Sequence, residues 1–138
     1  MGDRGAQMQH SDVTSAIVAA CFEVANELGH GFLESVYQKA LVIALRSRRL
    51  AAEANVPLQV SYHGHVVGEF FADILVEDKV IVELKVAKAL APEHQAQLIN
   101  YLKASGLEVG LLINFGTPRL ECKRCFWSPE DLTTAPDF

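Results

Sequence analysis

The sequence predicts an α/β domain, a small mixed β-sheet flanked by helices, with its elements in the order αα-βββ-α-ββ. Three observations carry that expectation. Two segments with helical periodicity and helix stop signals precede residue 50. β-branched runs separated by turn residues follow, and a proline-started, glycine-stopped segment, Pro92 to Gly106, divides them from two further runs of the same kind.

Taken in order, residues 1–10 are polar and read as a disordered N-terminal tail. Ser11 or Asp12 can cap a helix reaching about Leu28, with Val13, Ile17, Ala20, Val24 and Leu28 on one face and Gly29 as its stop. A second helix, over about residues 32–49, is expected to bury Val36, Ala40, Ile43 and Ala44. Arg46, Arg48 and Arg49 crowd its C-terminal end, where cations suit the helix dipole. Residues 56–62 and 66–76 read as strands around a His63-Gly64-His65 turn, and 79–86 as a third strand. Pro92 suits the first turn of a helix running to about Ala104. A buried strand over 109–115 and a shorter, more exposed one over 120–127 complete a single domain of residues 11–127, with 128–138 as a C-terminal tail.

Composition bounds the function. A 138-residue chain that is 50% hydrophobic and 21% charged is long enough for a real core and resembles an ordinary soluble protein. Its longest apolar stretches fall short of a membrane span, and the run over 17–22 is broken by Glu23 with no cleavage-type site after it. Three cysteines, an odd number without framework spacing, fit a reducing compartment, so the cytoplasm is the expected location. A net charge of −5 argues against a non-specific duplex binder, because phosphate neutralisation needs Lys and Arg. It does not argue against a nuclease, whose acidic metal site is offset by bound cations. Arg46, Arg48, Arg49 and Lys88 are the candidate phosphate contacts.

The most informative stretch is the hairpin from Phe70 to Val86. Three charges interrupt its apolar runs: Asp73 on one strand, Glu83 and Lys85 on the other. Side chains alternate along a strand, so Glu83 and Lys85 share a face. A three-residue loop, Glu77 to Lys79, pairs Val76 with Val80 and sets Asp73 opposite Glu83, whereas a two-residue loop sends Asp73 to the other face. With the longer loop, Phe70, Ala72, Ile74, Val76, Val80, Val82, Leu84 and Val86 form one apolar face. The opposite face then brings two carboxylates and an ammonium together among apolar neighbours. Opposed carboxylates repel, and a divalent cation between them removes the conflict; oxygen ligands of this kind suit Mg²⁺ or Mn²⁺. The plainer alternative is a half-exposed ion-pair cluster in which Lys85 neutralises one carboxylate.

Helical spacing adds further polar groups. Glu34, Tyr37 and Leu41 share a face of the second helix, while His94, Gln97, Tyr101 and Ser105 form a stripe on the third. Inward polar groups require partners, which suggests a polar pocket. Cys122-x-x-Cys125 lies on a predicted strand, so its thiols point to opposite faces and make a poor zinc site. Phe126-Trp127 fits a strand end packed on the sheet better than a base-stacking platform.

The ordered series Gly31-x-x-Glu34-x-x-Tyr37, Asp73, Glu83-Leu84-Lys85, Gln97-x-x-x-Tyr101-Leu102 and Gly110-Leu-Leu-Ile-Asn114-Phe115-Gly116 resembles the GxxExxY family of the PD-(D/E)XK nuclease superfamily, over about residues 11–127. The resemblance implies a restriction-endonuclease-like core and a metal-dependent nuclease of the exonuclease-like branch acting on DNA. It implies Asp73 and Glu83 as metal ligands with the backbone carbonyl of Leu84, Glu34 completing or extending the metal site directly or through water, Lys85 orienting or helping to deprotonate the attacking water, and Gln97 and Tyr101 positioning the site or the scissile phosphate. Phe71 stands where relatives often carry Arg, and Ala72 rather than proline precedes Asp73. The alternatives are a catalytically silent nuclease-fold binding or assembly protein, and a hydrolase of RNA or of a small phosphate ester. Partners expected beyond DNA are RNA and a second copy or partner protein supplying specificity, with no membrane.

Overall fold

The computed structural model describes residues 10–132. Helices α1 (Ser11–Leu28) and α2 (Glu34–Ser47) precede strands β1 (Ala52–Tyr62), β2 (His65–Val76) and β3 (Val80–Lys85). Helix α3 (Pro92–Ser105), strands β4 (Val109–Asn114) and β5 (Glu121–Phe126), and a 3-10 turn at Pro129–Leu132 complete the order αα-βββ-α-ββ. That last turn gives structure to part of the expected C-terminal tail; the expected disorder of residues 1–9 lies outside the described residues. Among the described residues no helix is long and apolar enough to cross a membrane.

The five strands form one mixed sheet in the order β1-β2-β3-β4-β5. Only β3 and β4 run parallel, and α3 is the crossover between them. One sheet face packs Ile74, Val76, Val80, Val82 and Leu84 against α1 and α2. The other packs Ala72, Ile81 and Leu112 against Leu98, Tyr101 and Leu102 of α3. The sheet is therefore covered on both faces, which is why β3 and β4 are buried almost throughout.

The helices depart from the sequence expectation in phase. Helix α1 starts at Ser11, so Ser11 and Asp12 lie in its first turn rather than capping it, and Leu28 at its far end is 37% exposed. Helix α2 buries Tyr37, Leu41, Val42, Ala44 and Leu45, whereas Val36 and Ile43 are exposed, Ile43 to 70%. Residues 40–45 are all apolar, so periodicity alone leaves the buried face open. Tyr37 settles it: its ring stacks on Phe115 at 4.3 Å, while its hydroxyl donates to Gly29 O at 2.7 Å and accepts from Phe32 N–H at 3.1 Å.

The hairpin loop has the parity that the charges require. Glu77 and Asp78 adopt left-handed φ values of 55° and 53°, Lys79 N–H donates to Val76 O at 3.0 Å, and Val76 pairs with Val80. Further from the loop the alternation changes phase. Ala54 pairs with Ile74 and Val56 with Ala72, and Asn55 between them takes a φ of 53°. Beyond this kink, Ala72 and Leu58 belong to the α3 side, and the Phe70 ring lies 5.6 Å from Tyr101. Phe70 and Ala72 therefore do not share a face with Ile74 and Val76, contrary to uninterrupted alternation.

Candidate active site

The site forms where β2 and β3 part. Their ladder ends at the Ile74–Val82 pair. One step further, Asp73 N–H donates to Glu83 Oε1 at 3.0 Å and Leu84 N–H donates to Asp73 Oδ2 at 2.8 Å. Each carboxylate thus takes the place of a backbone acceptor on the facing strand and bridges the gap between them. Gln38 of α2 braces the opening, donating from Nε2 to Asp73 O at 2.9 Å and to Asn55 Oδ1 at 3.0 Å.

Lys85 ends β3 two residues after Glu83, on the same side, and its Nζ donates to Gln97 Oε1 of α3 at 2.8 Å. Tyr101, one turn further along α3, is 8% exposed and covers the apolar flank. Asp73, Glu83, Lys85, Gln97 and Tyr101 therefore converge on the α3 side of the sheet, as the spacing of charges predicts. Asn114, at the end of β4 and fully buried, fixes the segment that follows Lys85. Its Oδ1 accepts from Ala87 N–H at 3.0 Å and Gly116 N–H at 2.9 Å, and its Nδ2 donates to Ala87 O at 3.0 Å and Glu121 Oε1 at 2.8 Å. A Cβ at Gly116 would overlap the Ala87 backbone, so glycine is required by that close approach.

Electrostatically the pair is unresolved by protein groups alone. Glu83 is 3% exposed, and its pKa is pushed up to about 9, first by burial and then by the Asp73 charge, against a smaller opposing pull from Lys85. The Tyr101 phenol is also raised, by burial first and then by Glu83 and Asp73. A proton shared between the carboxylates relieves their repulsion, and a divalent cation does the same with more charge. The donors fit a hard cation: all are oxygens, Asp73 Oδ2 and Glu83 Oε1 are fixed by backbone N–H groups, and one further oxygen remains on each carboxylate. One or two carboxylates, with water and substrate phosphate completing the shell, is the mode Mg²⁺ adopts.

Glu34 does not join them. It is exposed in the first turn of α2, and among the described residues no group of three or more His, Cys, Asp or Glu side chains could hold a metal ion. The helix presents Gln38, one turn on, to the Asp73 strand instead. Of the candidate phosphate contacts, Arg46 donates twice to Ala52 O, at 3.2 and 2.8 Å, and Arg48 pairs with Glu23 at 3.1 Å. Arg49 and Lys88 are exposed. His94 accepts from Ala91 N–H through Nδ1 at 3.0 Å and so serves the start of α3. Cys122 is exposed and Cys125 buried, in keeping with opposite strand faces, and Trp127 is buried in the α3-side core. Gln38 and Asn114 are the site residues that spacing did not single out. The signals for Asn114 are its place in the Gly110-to-Gly116 motif and its position as a polar residue ending an otherwise apolar strand.

The model of the PD-(D/E)XK nuclease superfamily matches residues 11–125. No curated protein matches the chain. Among solved structures, the crystal structure of SSO0001 is similar in fold, with a TM-score of 0.56 and 20% identity over 72% of this chain and 52% of that one. The chain thus spans about half the length of that protein. The match covers every element of the sheet together with the residues of the β2–β3 opening, and the chain belongs to the PD-(D/E)XK nuclease superfamily.

Proposed function

We propose that this chain is a GxxExxY-type, metal-dependent nuclease of the exonuclease-like branch that hydrolyses phosphodiester bonds in DNA. Asp73 and Glu83, with the Leu84 carbonyl beside them, would hold Mg²⁺ or Mn²⁺. The observation that carries this reading is the meeting of two carboxylates and a lysine at a strand opening, with the lysine tethered at 2.8 Å by a glutamine from a separate helix. A stability argument alone does not favour a carboxylate pair in that position.

The bound cation supplies Lewis acidity at the phosphodiester. The chain's own groups do the rest. Gln97 occupies one of the three Lys85 N–H donors, which leaves two to meet a phosphoryl oxygen as charge develops on it. Gln97 is thus a positioning residue for Lys85, and Tyr101 shields the carboxylates from bulk water. Glu34 acts at the rim through water rather than as a direct ligand. The protein would work in the cytoplasm, with a second copy or a partner protein supplying specificity.

A specific observation favours a second reading, a nuclease-fold binding or assembly protein that cuts nothing: the net charge is −5, and Arg46 and Arg48 are engaged within the chain. Cleavage of single- and double-stranded DNA, RNA and a small phosphodiester with Mg²⁺ or Mn²⁺, by the wild type and by Lys85→Ala and Asp73→Asn, separates these. Metal-dependent cutting of DNA lost in both variants supports the proposal. Preference for RNA or the small ester redirects the substrate, and no cutting by the wild type on any of them refutes the proposal.

A further inference from the structure

Asp73 stands outside both of the ladders that flank it. Pairing of β1 with β2 passes from Ala54–Ile74 to Val56–Ala72 without an Asn55–Asp73 pair, and pairing of β2 with β3 ends at Ile74–Val82. Its two main-chain groups meet side chains: the N–H donates to Glu83 Oε1 at 3.0 Å, and the carbonyl accepts from Gln38 Nε2 at 2.9 Å. A partly buried carbonyl needs a partner, and Gln38 supplies one from a helix 35 residues away in sequence.

Gln38 is built to hold that carbonyl. Its Nε2 carries two hydrogens and both are used, one on Asp73 O and one on Asn55 Oδ1 at 3.0 Å. Asn55 has a φ of 53°, a left-handed conformation that Asn adopts more readily than most residues. The helix is fixed in turn by the preceding residue. Tyr37 is fully buried, stacks on Phe115 at 4.3 Å and donates to Gly29 O at 2.7 Å, while Phe115 N–H donates to Lys85 O at 2.9 Å. Two adjacent residues of α2 thus address both sides of the opening: Gln38 the Asp73 strand, and Tyr37, through Phe115, the Lys85 strand.

We propose that Gln38 is a positioning residue for the cation site: by carrying the Asp73 carbonyl it holds β2 apart from β3, so that the Asp73 and Glu83 carboxylates, not backbone acceptors, fill the gap. This rests on the metal-dependent reading above. The competing arrangement is continued pairing of the two strands. It would offer backbone acceptors to the Asp73 and Leu84 N–H groups and displace the carboxylate oxygens that these N–H groups now orient. Gln38 touches neither a carboxylate oxygen nor Lys85 Nζ in any of its hydrogen bonds and acts through the main chain of the ligand, as residues outside a metal's own ligand set do.

The test is Gln38→Met, which keeps the bulk and helix preference of glutamine but has no donor. Mn²⁺ alone is the probe, its free fraction read by electron paramagnetic resonance, and amide exchange is followed by NMR in EDTA. The variant should bind Mn²⁺ about tenfold more weakly or worse. Exchange should quicken at the Asp73 and Leu84 amides and stay at the wild-type rate through β4 and β5. Asn55→Gly, which keeps the left-handed backbone and the Gln38–Asp73 bond, should show a smaller loss of affinity. Wild-type Mn²⁺ affinity in Gln38→Met overturns the positioning role and leaves the metal reading standing. Exchange that quickens equally across the whole sheet also overturns it, since Gln38 would then serve the fold alone. A wild type that binds no Mn²⁺, with the two amides still released in the variant, removes the metal reading and leaves Gln38 as the residue that positions Asp73.

Discussion

Replacing Glu83 by Gln should stabilise the cation-free protein while destroying its cation site. Glu83 is almost fully buried, and its pKa stands at about 9 against an ordinary 4.5. The sign follows from linkage. An acid raised in the folded state contributes stability fully below pH 4.5, and that contribution is lost as pH rises towards 9. Each pH unit in that window is worth at most about 1.4 kcal/mol, so at pH 7.5 the ceiling is about 4 kcal/mol. Gln preserves the geometry without the charge: its Oε1 still accepts from Asp73 N–H, and its amide donates to the Asp73 carboxylate in place of the shared proton. At about 4 °C per kcal/mol for a domain of this size, Glu83→Gln should raise Tm at pH 8 in EDTA by on the order of 5–10 °C. The gain should shrink to nothing near pH 4.5. Thermal melts of both proteins across that pH range, with and without Mn²⁺, provide the assay; Mn²⁺ should stabilise the wild type alone. Parallel pH profiles, or a variant less stable than wild type at pH 8 in EDTA, would refute the reasoning.

Asn114→Ala should cost about 3 kcal/mol or more, because it strands two N–H groups, a carbonyl and a carboxylate around a buried side chain; chemical denaturation measures it. Tyr37→Phe keeps the stack on Phe115 but releases Gly29 and Phe32, so a loss of about 1–2 kcal/mol should accompany faster amide exchange over residues 29–33. Gln97→Ala should lower kcat about tenfold with little change in Tm, since the bond it removes is exposed and acts on Lys85; steady-state kinetics beside a melt separates the two effects.

The order of elements was legible because punctuation is strong in this chain: Gly29, Gly64, Pro92 and Gly106 each stand at an element boundary. The heart of the site was legible too, because charged residues are scarce in β2 and β3 and loop parity fixes their side of the sheet. The face of α2 was not, since its apolar residues run together and only the through-space tie of Tyr37 to Gly29 and Phe115 chooses among them. Nor was the turn of Phe70 and Ala72 towards α3, which depends on Asn55 adopting a left-handed conformation on the neighbouring strand. Gln38 and Asn114 work through hydrogen bonds to backbone 35 and 27 residues away, a distance over which periodicity carries no information. Glu34 is the converse case: a helix acid in a suggestive motif is exposed at the start of α2, and the next residue on its stripe, Gln38, is the one that hydrogen-bonds to the Asp73 strand.

The most direct measurement is anomalous scattering from crystals soaked in Mn²⁺, compared between the wild type and Asp73→Asn. One Mn²⁺ seated between the Asp73 and Glu83 carboxylates, within reach of a phosphate held by Lys85 and absent from the variant, is the expected result. Carboxylates that stay paired through a proton at saturating Mn²⁺, with no density between them, would contradict it.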